Sequence, residues 1–321
     1  MRHRVKPATL GETVRLAALV VVFGLSTAMP SRSLGQQPAA KEGVGQRVVP
    51  KHRNVALQNG GGKPARAIKP DIYRVEQVNR GWFLLKPDGA SPGWVAADQI
   101  VSVEQAVAFF SNAISKDPHD PHNYAMRALV LLTEREDPQH ALADCDEAIR
   151  LAPKDPVARS IRGAVYSAMQ NYDKAIADFD EVVRLQPNDG SSYHDRGAAR
   201  MFQRDFDRAI ADFNKAIQLD PKNTDALNGR AWFRATCPVA TYRDGAQAVA
   251  SATQACELTG WKDAGILDTL AAAYAESGDF ASALKWQAKA IERETDANEK
   301  TAYGARLQLY QAKTPYRDGK P

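Results

Sequence analysis

PVARSIRGAVYSAMQNYDKAIADFDEVVRLQPND at residues 156–189 is followed without a gap by GSSYHDRGAARMFQRDFDRAIADFNKAIQLDPKN at residues 190–223. One unit of about 34 residues is thus written twice in register. Gly163 aligns with Gly197, Tyr172 with Phe206, Ala175 with Ala209, Phe179 with Phe213 and Pro187 with Pro221. Small residues fall where two helices must approach each other, and aromatic side chains fill the wider gaps. Asp173 and Asp207 stand near the start of the second helices, where a carboxylate suits the positive helix end. The prolines close each unit. The pattern predicts a helix-turn-helix repeat.

The same pattern extends in both directions. Residues 103–117 (VEQAVAFFSNAISKD) match a second helix without its first, with Ala106, Phe110, Ala113 and Pro118 in place, and predict an opening cap. A first repeat spans 121–155 with one extra residue in its turn, and Cys145 takes its aromatic position as a core residue. A fourth repeat starts at Thr224 and carries about five extra residues within 236–243. A fifth starts at Ala264, with Leu270, Ala271, Tyr274, Gly278, Phe280, Ala283 and Ala290 in register, and a last helix over 297–311 covers the exposed end. A first-helix arginine pairs with a second-helix aspartate in three repeats: Arg127 with Asp144, Arg162 with Asp178, Arg196 with Asp212. Repeat four keeps Arg230 but has Ser251 at the acid's position, so that arginine is expected to be free for another use.

These spacings, with their glycine, alanine, aromatic and proline positions, resemble the tetratricopeptide repeat (TPR). The resemblance implies a right-handed α-superhelix of about five helix pairs plus capping helices over 103–312, with a tail at 313–321. It also implies a non-catalytic scaffold whose concave face, built from first helices, holds a peptide or protein segment. In the family, positions 2, 5, 9 and 12 of the first helix face that groove. Here they select Ser160, His194 and Asn228 at position 5 and Trp232 at position 9. Ala164 and Ala198 hold position 9 in repeats two and three, so Trp232 is expected above a floor of small side chains, beside Met201 and near Arg230. An indole, an amide and a charge together have the composition of a binding hot spot, although Trp232 packed simply on Met201 is the plainer arrangement.

The net charge of +4 does not point to nucleic acid. Residues 1–35 hold five basic side chains (Arg2, Arg4, Lys6, Arg15, Arg32) against Glu12, which accounts for all of it. Residues 36–102 then count ten basic against five acidic, and 103–321 count 27 basic against 32 acidic. A basic start, the apolar run LAALVVVFGL at 16–25 and the small residues Ser26-Thr27-Ala28 predict a secretory signal over 1–35, cut after Ala28 or Gly35. The run is about half of what a membrane span needs, so the exported protein is expected in the periplasm or outside the cell, with an uncleaved signal as membrane anchor the lesser alternative. Cys237 and Cys256 sit near opposite ends of antiparallel helices, about 18 Å apart, beyond the roughly 7 Å that a disulfide tolerates. Free, mostly buried thiols are expected, with a Cys237–Cys256 pair the lesser alternative because the insertion between these helices is irregular.

A linker at 36–44 leads to short runs of period two at 47–57, 71–78, 81–85 and 93–95, separated by glycine-rich or polar turns such as Asp88-Gly89. Tyr73-Arg74-Val75-Glu76, Trp82-Phe83-Leu84-Leu85 and Gly93-Trp94-Val95 resemble bacterial SH3-like β-barrels, which would place one over 45–102. Tyr73, Trp82 and Trp94 then form either a peptide-binding floor or, more commonly in so small a barrel, part of its core. Gly60-Gly61-Gly62-Lys63 lacks the earlier glycine, the Ser or Thr after lysine, and the following helix of a phosphate loop. His119-x-x-His122, with His140, lies in proline-bearing turns without a carboxylate or cysteine at ligand spacing. No HExxH, GxSxG or nucleotide fingerprint is present. No catalytic residue, cofactor or metal is therefore assigned. The expected partner is a protein or peptide, without nucleic acid and without stable membrane insertion after signal removal. A rival assignment makes residues 36–102 the working part, anchoring the protein to a cell-envelope polymer, with the repeats as spacer.

Overall fold

The computed structural model describes residues 43–53, 55–58, 64–69, 71–79, 81–86 and 92–318. The signal-type segment, the Gly60–Lys63 loop and the Asp88-Gly89 turn lie outside them. The described residues form two compact units, one ending at Asn171 and the other beginning at Tyr172.

The first unit opens with seven short strands: β1 (Arg47–Pro50), β2 (Ala56–Gln58), β3 (Pro64–Ala67), β4 (Tyr73–Asn79), β5 (Trp82–Leu85), β6 (Gly93–Ala96) and β7 (Ile100–Ser102). They make one antiparallel sheet in the order β3-β2-β6-β5-β4-β1-β7. The run expected over 47–57 is in fact two strands, because β1 ends at Pro50, whose nitrogen cannot extend a ladder. Strands β3 and β7 lie outside the runs read from the sequence. In β4 and β5, Tyr73, Val75 and Leu85 point into the core, as a period of two requires, and Gly81 turns the chain between them at φ +80°.

The boundary expected at residue 102 lies inside a core. Neighbouring residues of β1 and β7 face opposite ways: Val48 and Ile100 enter the core of the sheet, while the paired Val49 and Val101 join Val103, Ala106 and Phe110. Strand β7 runs straight into α1 (Val103–Lys116), followed by α2 (Pro121–Glu134), α3 (Pro138–Leu151) and α4 (Pro156–Ala168). The last three begin alike, with proline first and an aspartate before it (Asp120, Asp137, Asp155) accepting a backbone N–H of the first turn. Arg47 of β1 donates to Glu134 of α2 at 2.7 Å, and Arg53 pairs with Asp155 at 2.5 Å, so sheet and helices are also joined by charge.

The second unit holds α5 (Tyr172–Leu185), α6 (Gly190–Gln203), α7 (Phe206–Leu219), α8 (Thr224–Thr236), α9 (Gly245–Leu258), α10 (Ala264–Glu276), α11 (Phe280–Arg293) and α12 (Ala297–Gln311). Helices pair as α6 with α7, α8 with α9 and α10 with α11, and the first helices α6, α8 and α10 also touch in succession. Gly197 permits the α6–α7 contact: a Cβ there would lie 3.1 Å from the Asp212 Cβ and 3.3 Å from Phe213. Phe213 and Phe233 are fully buried with Ala198 and Cys237, each ring contributing about 2–3 kcal/mol by leaving water.

Arg127 donates to Asp144 at 2.7 and 2.6 Å, and Arg196 to Asp212 at 3.0 and 2.7 Å. Each ladder also reaches back one helix, as Arg162 bonds Asp146 and Arg196 bonds Asp180. Arg230 is not free as expected. It donates to Ser251 Oγ at 3.2 and 3.0 Å and to Asn214 Oδ1 at 3.2 Å, so it keeps the same two directions with neutral acceptors. Burial, with Arg234 nearby, lowers its guanidinium pKa. The extra residues of repeat four fold into a short 3-10 turn, Ala240–Tyr242, whose tyrosine packs on Phe206 and Phe233. Cys145, Cys237 and Cys256 are buried and form no disulfide among the described residues, and burial pushes the Cys256 thiol up to about 12.

Candidate functional site

In the second unit, the first-helix face of α8 and α10 is met by the end of the chain. Just past the end of α12, Lys313, with its φ of +53° and its bond to the Tyr310 carbonyl, reverses the backbone, and Pro315 bars further helix. Residues 314–318 then return along α8 and α10. The Asp318 N–H donates to the Thr236 carbonyl at 2.9 Å, and Arg317 donates to the Ala235 carbonyl at 3.3 Å. Those carbonyls belong to the last turn of α8, where no later helical N–H is available to bond them. Arg317 also pairs with Glu276 at 2.6 Å.

Trp232 lies at the centre of this contact. Its indole N–H donates to Asp318 Oδ2 at 3.0 Å, and its ring lies 5.6 Å from that of Tyr316. The Arg306 guanidinium sits 5.5 Å from the Trp232 ring, 5.4 Å from Tyr316 and 5.1 Å from Tyr303. Arg306 is itself fixed from behind, donating to Asp268 at 2.8 Å, while the buried Gln287 donates to the same carboxylate at 2.6 Å and to the Tyr303 carbonyl at 3.1 Å. Burial opposes the charge on Arg306, but Asp268 more than compensates and raises its pKa.

Of the residues singled out in the sequence, Trp232 lies on α8 under Tyr316 and Asp318 and packs in a different cluster from Met201. Met201 packs instead with Phe206 and Ile210, around Phe213 and Phe233. Arg230 faces α7 and α9 through Asn214 and Ser251. His194 is only 4% exposed, its ring 5.9 Å from Phe213 and its Nδ1 3.2 Å from Asp195. Burial opposes its protonation, while Asp195 and Asp225 raise the imidazole pKa. Asn228 is half-buried, and its Oδ1 accepts no hydrogen bond among the described residues. Ser160 lies in the other unit. The structure therefore brings Trp232 together with Glu276, Arg306 and the tail, none of which the sequence had singled out. Asp268 was within reach of it, since it occupies position 5 of the fifth repeat.

In the sheet, Tyr73, Trp82 and Trp94 are 7%, 8% and 6% exposed, so they do not offer an open aromatic floor. The Tyr73 hydroxyl is turned to the Lys69 carbonyl at 2.9 Å. Among the histidines, His140 pairs with the helix-capping Asp137 at 2.7 Å, whereas His122 is buried against Phe110.

The second unit is thus a stack of helix pairs with the irregular segment 314–318 laid on its first helices. Family models of the tetratricopeptide repeat match residues 159–189, 191–223 and 264–293, and these segments are tetratricopeptide repeats. Among solved structures, the chain is similar to the APC/C hetero-tetramer Cut9-Hcn1, with a TM-score of 0.56 and 16% identity over 65% of this chain and 40% of that one. Yeast Tom70 gives 0.51 and 18% over 64% and 43%. A tetratricopeptide repeat protein from Parabacteroides merdae gives 0.51 and 19% over 66% and 81%. At these identities the likeness is one of fold. The chain spans less than half of the Cut9-Hcn1 and Tom70 chains. No curated protein matches it. Proteins built from tetratricopeptide repeats generally mediate contacts with other proteins or with peptides. No helix among the described residues is long and apolar enough to cross a membrane.

Proposed function

We propose that this protein is a non-catalytic scaffold whose first-helix face, around Trp232, holds an extended segment of another protein. The observation that carries this proposal is the one segment already lying there: residues 316–318 use a backbone bond, an arginine bond to a main-chain carbonyl, an ion pair and a tilted ring contact on α8 and α10. A surface that satisfies an extended chain in this way has main-chain acceptors for affinity and side-chain contacts for selection. Trp232→Ala in the full chain is expected to weaken a captured partner about thirtyfold, a loss of about 2 kcal/mol. Partner affinity that is equal for the two chains, both folded by circular dichroism, would remove this face from consideration.

We further propose that the protein is exported, on the strength of the basic start, the apolar run at 16–25 and the small residues after it. Mass spectrometry of protein recovered outside the cytoplasm should find residues 1–28 missing. An intact Met1 on membrane-held protein would replace secretion with anchoring. The antiparallel sheet, with the motifs at 73–76, 82–85 and 93–95, is assigned as an SH3-like module, and its shared core with α1 and α2 supports a positioning role for it.

A further inference from the structure

We infer that the segment recognised by this groove carries an aromatic residue, an arginine and an aspartate in succession, and that the chain's own Tyr316-Arg317-Asp318 occupies the site until such a segment displaces it. The inference deepens the scaffold assignment above and rests on it. Each residue of the triad meets a group of complementary chemistry. Tyr316 enters an electron-rich and cationic frame, between the Trp232 ring at 5.6 Å and the Arg306 guanidinium at 5.4 Å. Arg317 meets the Glu276 carboxylate at 2.6 Å and the carbonyl of Ala235. Asp318 takes the indole N–H of Trp232 and gives its own backbone N–H to Thr236. The groove side of every contact belongs to a helix, and its groups are fixed independently of the tail: Arg306 by Asp268, and Glu276 by Arg243 at 3.0 Å. The frame is therefore a receptor site in its own right, and another chain with the same three residues satisfies it equally well.

The tail is held in a way that permits exchange. Residues 315–318 are only partly buried and Thr314 is exposed, so they add no side chain to the fully buried core. Their advantage is tethering, since a short connection to α12 gives them an effective concentration in the millimolar range, which a free segment must overcome. Charge decides the order of the triad. Glu276 requires a cation at the middle residue, and the indole N–H requires an acceptor at the third.

The test uses the full chain and a fluorescent, amidated Thr-Pro-Tyr-Arg-Asp peptide. Arg317→Glu, which turns the tail's ion pair with Glu276 into a repulsion, is expected to bind this peptide at least about tenfold more tightly than wild type, because the resident tail no longer competes. The same peptide with glutamate in place of arginine should bind neither chain, a control that alters no protein residue. Trp232→Ala placed on the Arg317→Glu chain should lose the gain. Equal affinity of wild type and Arg317→Glu for the peptide, or equal affinity of the two peptides, overturns the inference. If a captured partner depends on Trp232 but the Tyr-Arg-Asp peptide does not displace it, the scaffold assignment stands and the triad falls. If the peptide binds through Trp232 while no partner capture depends on that residue, the triad stands and the scaffold assignment falls.

Discussion

Asp268→Ala is expected to destabilise the second unit by about 3–5 kcal/mol, the largest effect of any single substitution considered, because it removes one member of a buried ion pair and leaves the other in place. Arg306 would keep its charge while losing its only carboxylate bond among the described residues, and Gln287 would lose its shorter contact. The cost is dominated by the orphaned guanidinium. Asp268→Ala together with Arg306→Leu should therefore recover most of the loss, although it exchanges two charged groups for apolar ones. Urea unfolding of the two variants and the wild type measures this directly. A double variant as unstable as the single one would show that Asp268 acts through packing alone.

The second large effect depends on pH and belongs to the first unit. His122 is 3% exposed, and burial, reinforced by Arg53 and His52 and opposed by Asp120 and a bond to the Pro50 carbonyl, lowers its pKa to about 4. The unfolded chain thus takes up a proton near pH 6.5 that the folded chain refuses until about pH 4. Since the unfolded state binds more protons in that interval, stability from this group is complete above pH 6.5 and is lost as pH falls toward 4, by about 3 kcal/mol. His122→Gln, which cannot titrate, should flatten this part of the curve. Parallel loss of stability in wild type and His122→Gln between pH 7 and 4 would assign acid sensitivity to other groups.

The repeats were legible because their determinants are local and periodic. Gly197 must be small for α6 to meet α7, and Ala209 and Phe213 recur at the spacing of that contact, so residues within one unit of sequence contain the instruction. The proposed groove was legible only in part. Position counting found Trp232 but not what covers it, since Trp232 and Asp318 are 86 residues apart and no periodicity links them. The fate of His194 was also hidden: position 5 faces the groove in principle, yet Phe213 and Asp195 draw the ring into the interior. In the sheet, alternation identified strands but could not assign their two faces, because β1 and β7 lend one face to each of two cores.

That division of β1 and β7 has a further consequence. A row of stacked helix pairs ends in a bare apolar helix flank, to which another row can add, so an open row has no natural length. In the first unit, α1 and α2 are sealed by Val49 and Val101 of the sheet. In the second unit, α12 buries Tyr303 and Tyr310 inward and leaves Asn298, Lys300, Thr301 and Gln308 outward. A sheet in one unit and an extra helix in the other thus each cover an apolar helix flank that would otherwise serve as a docking edge for a further copy.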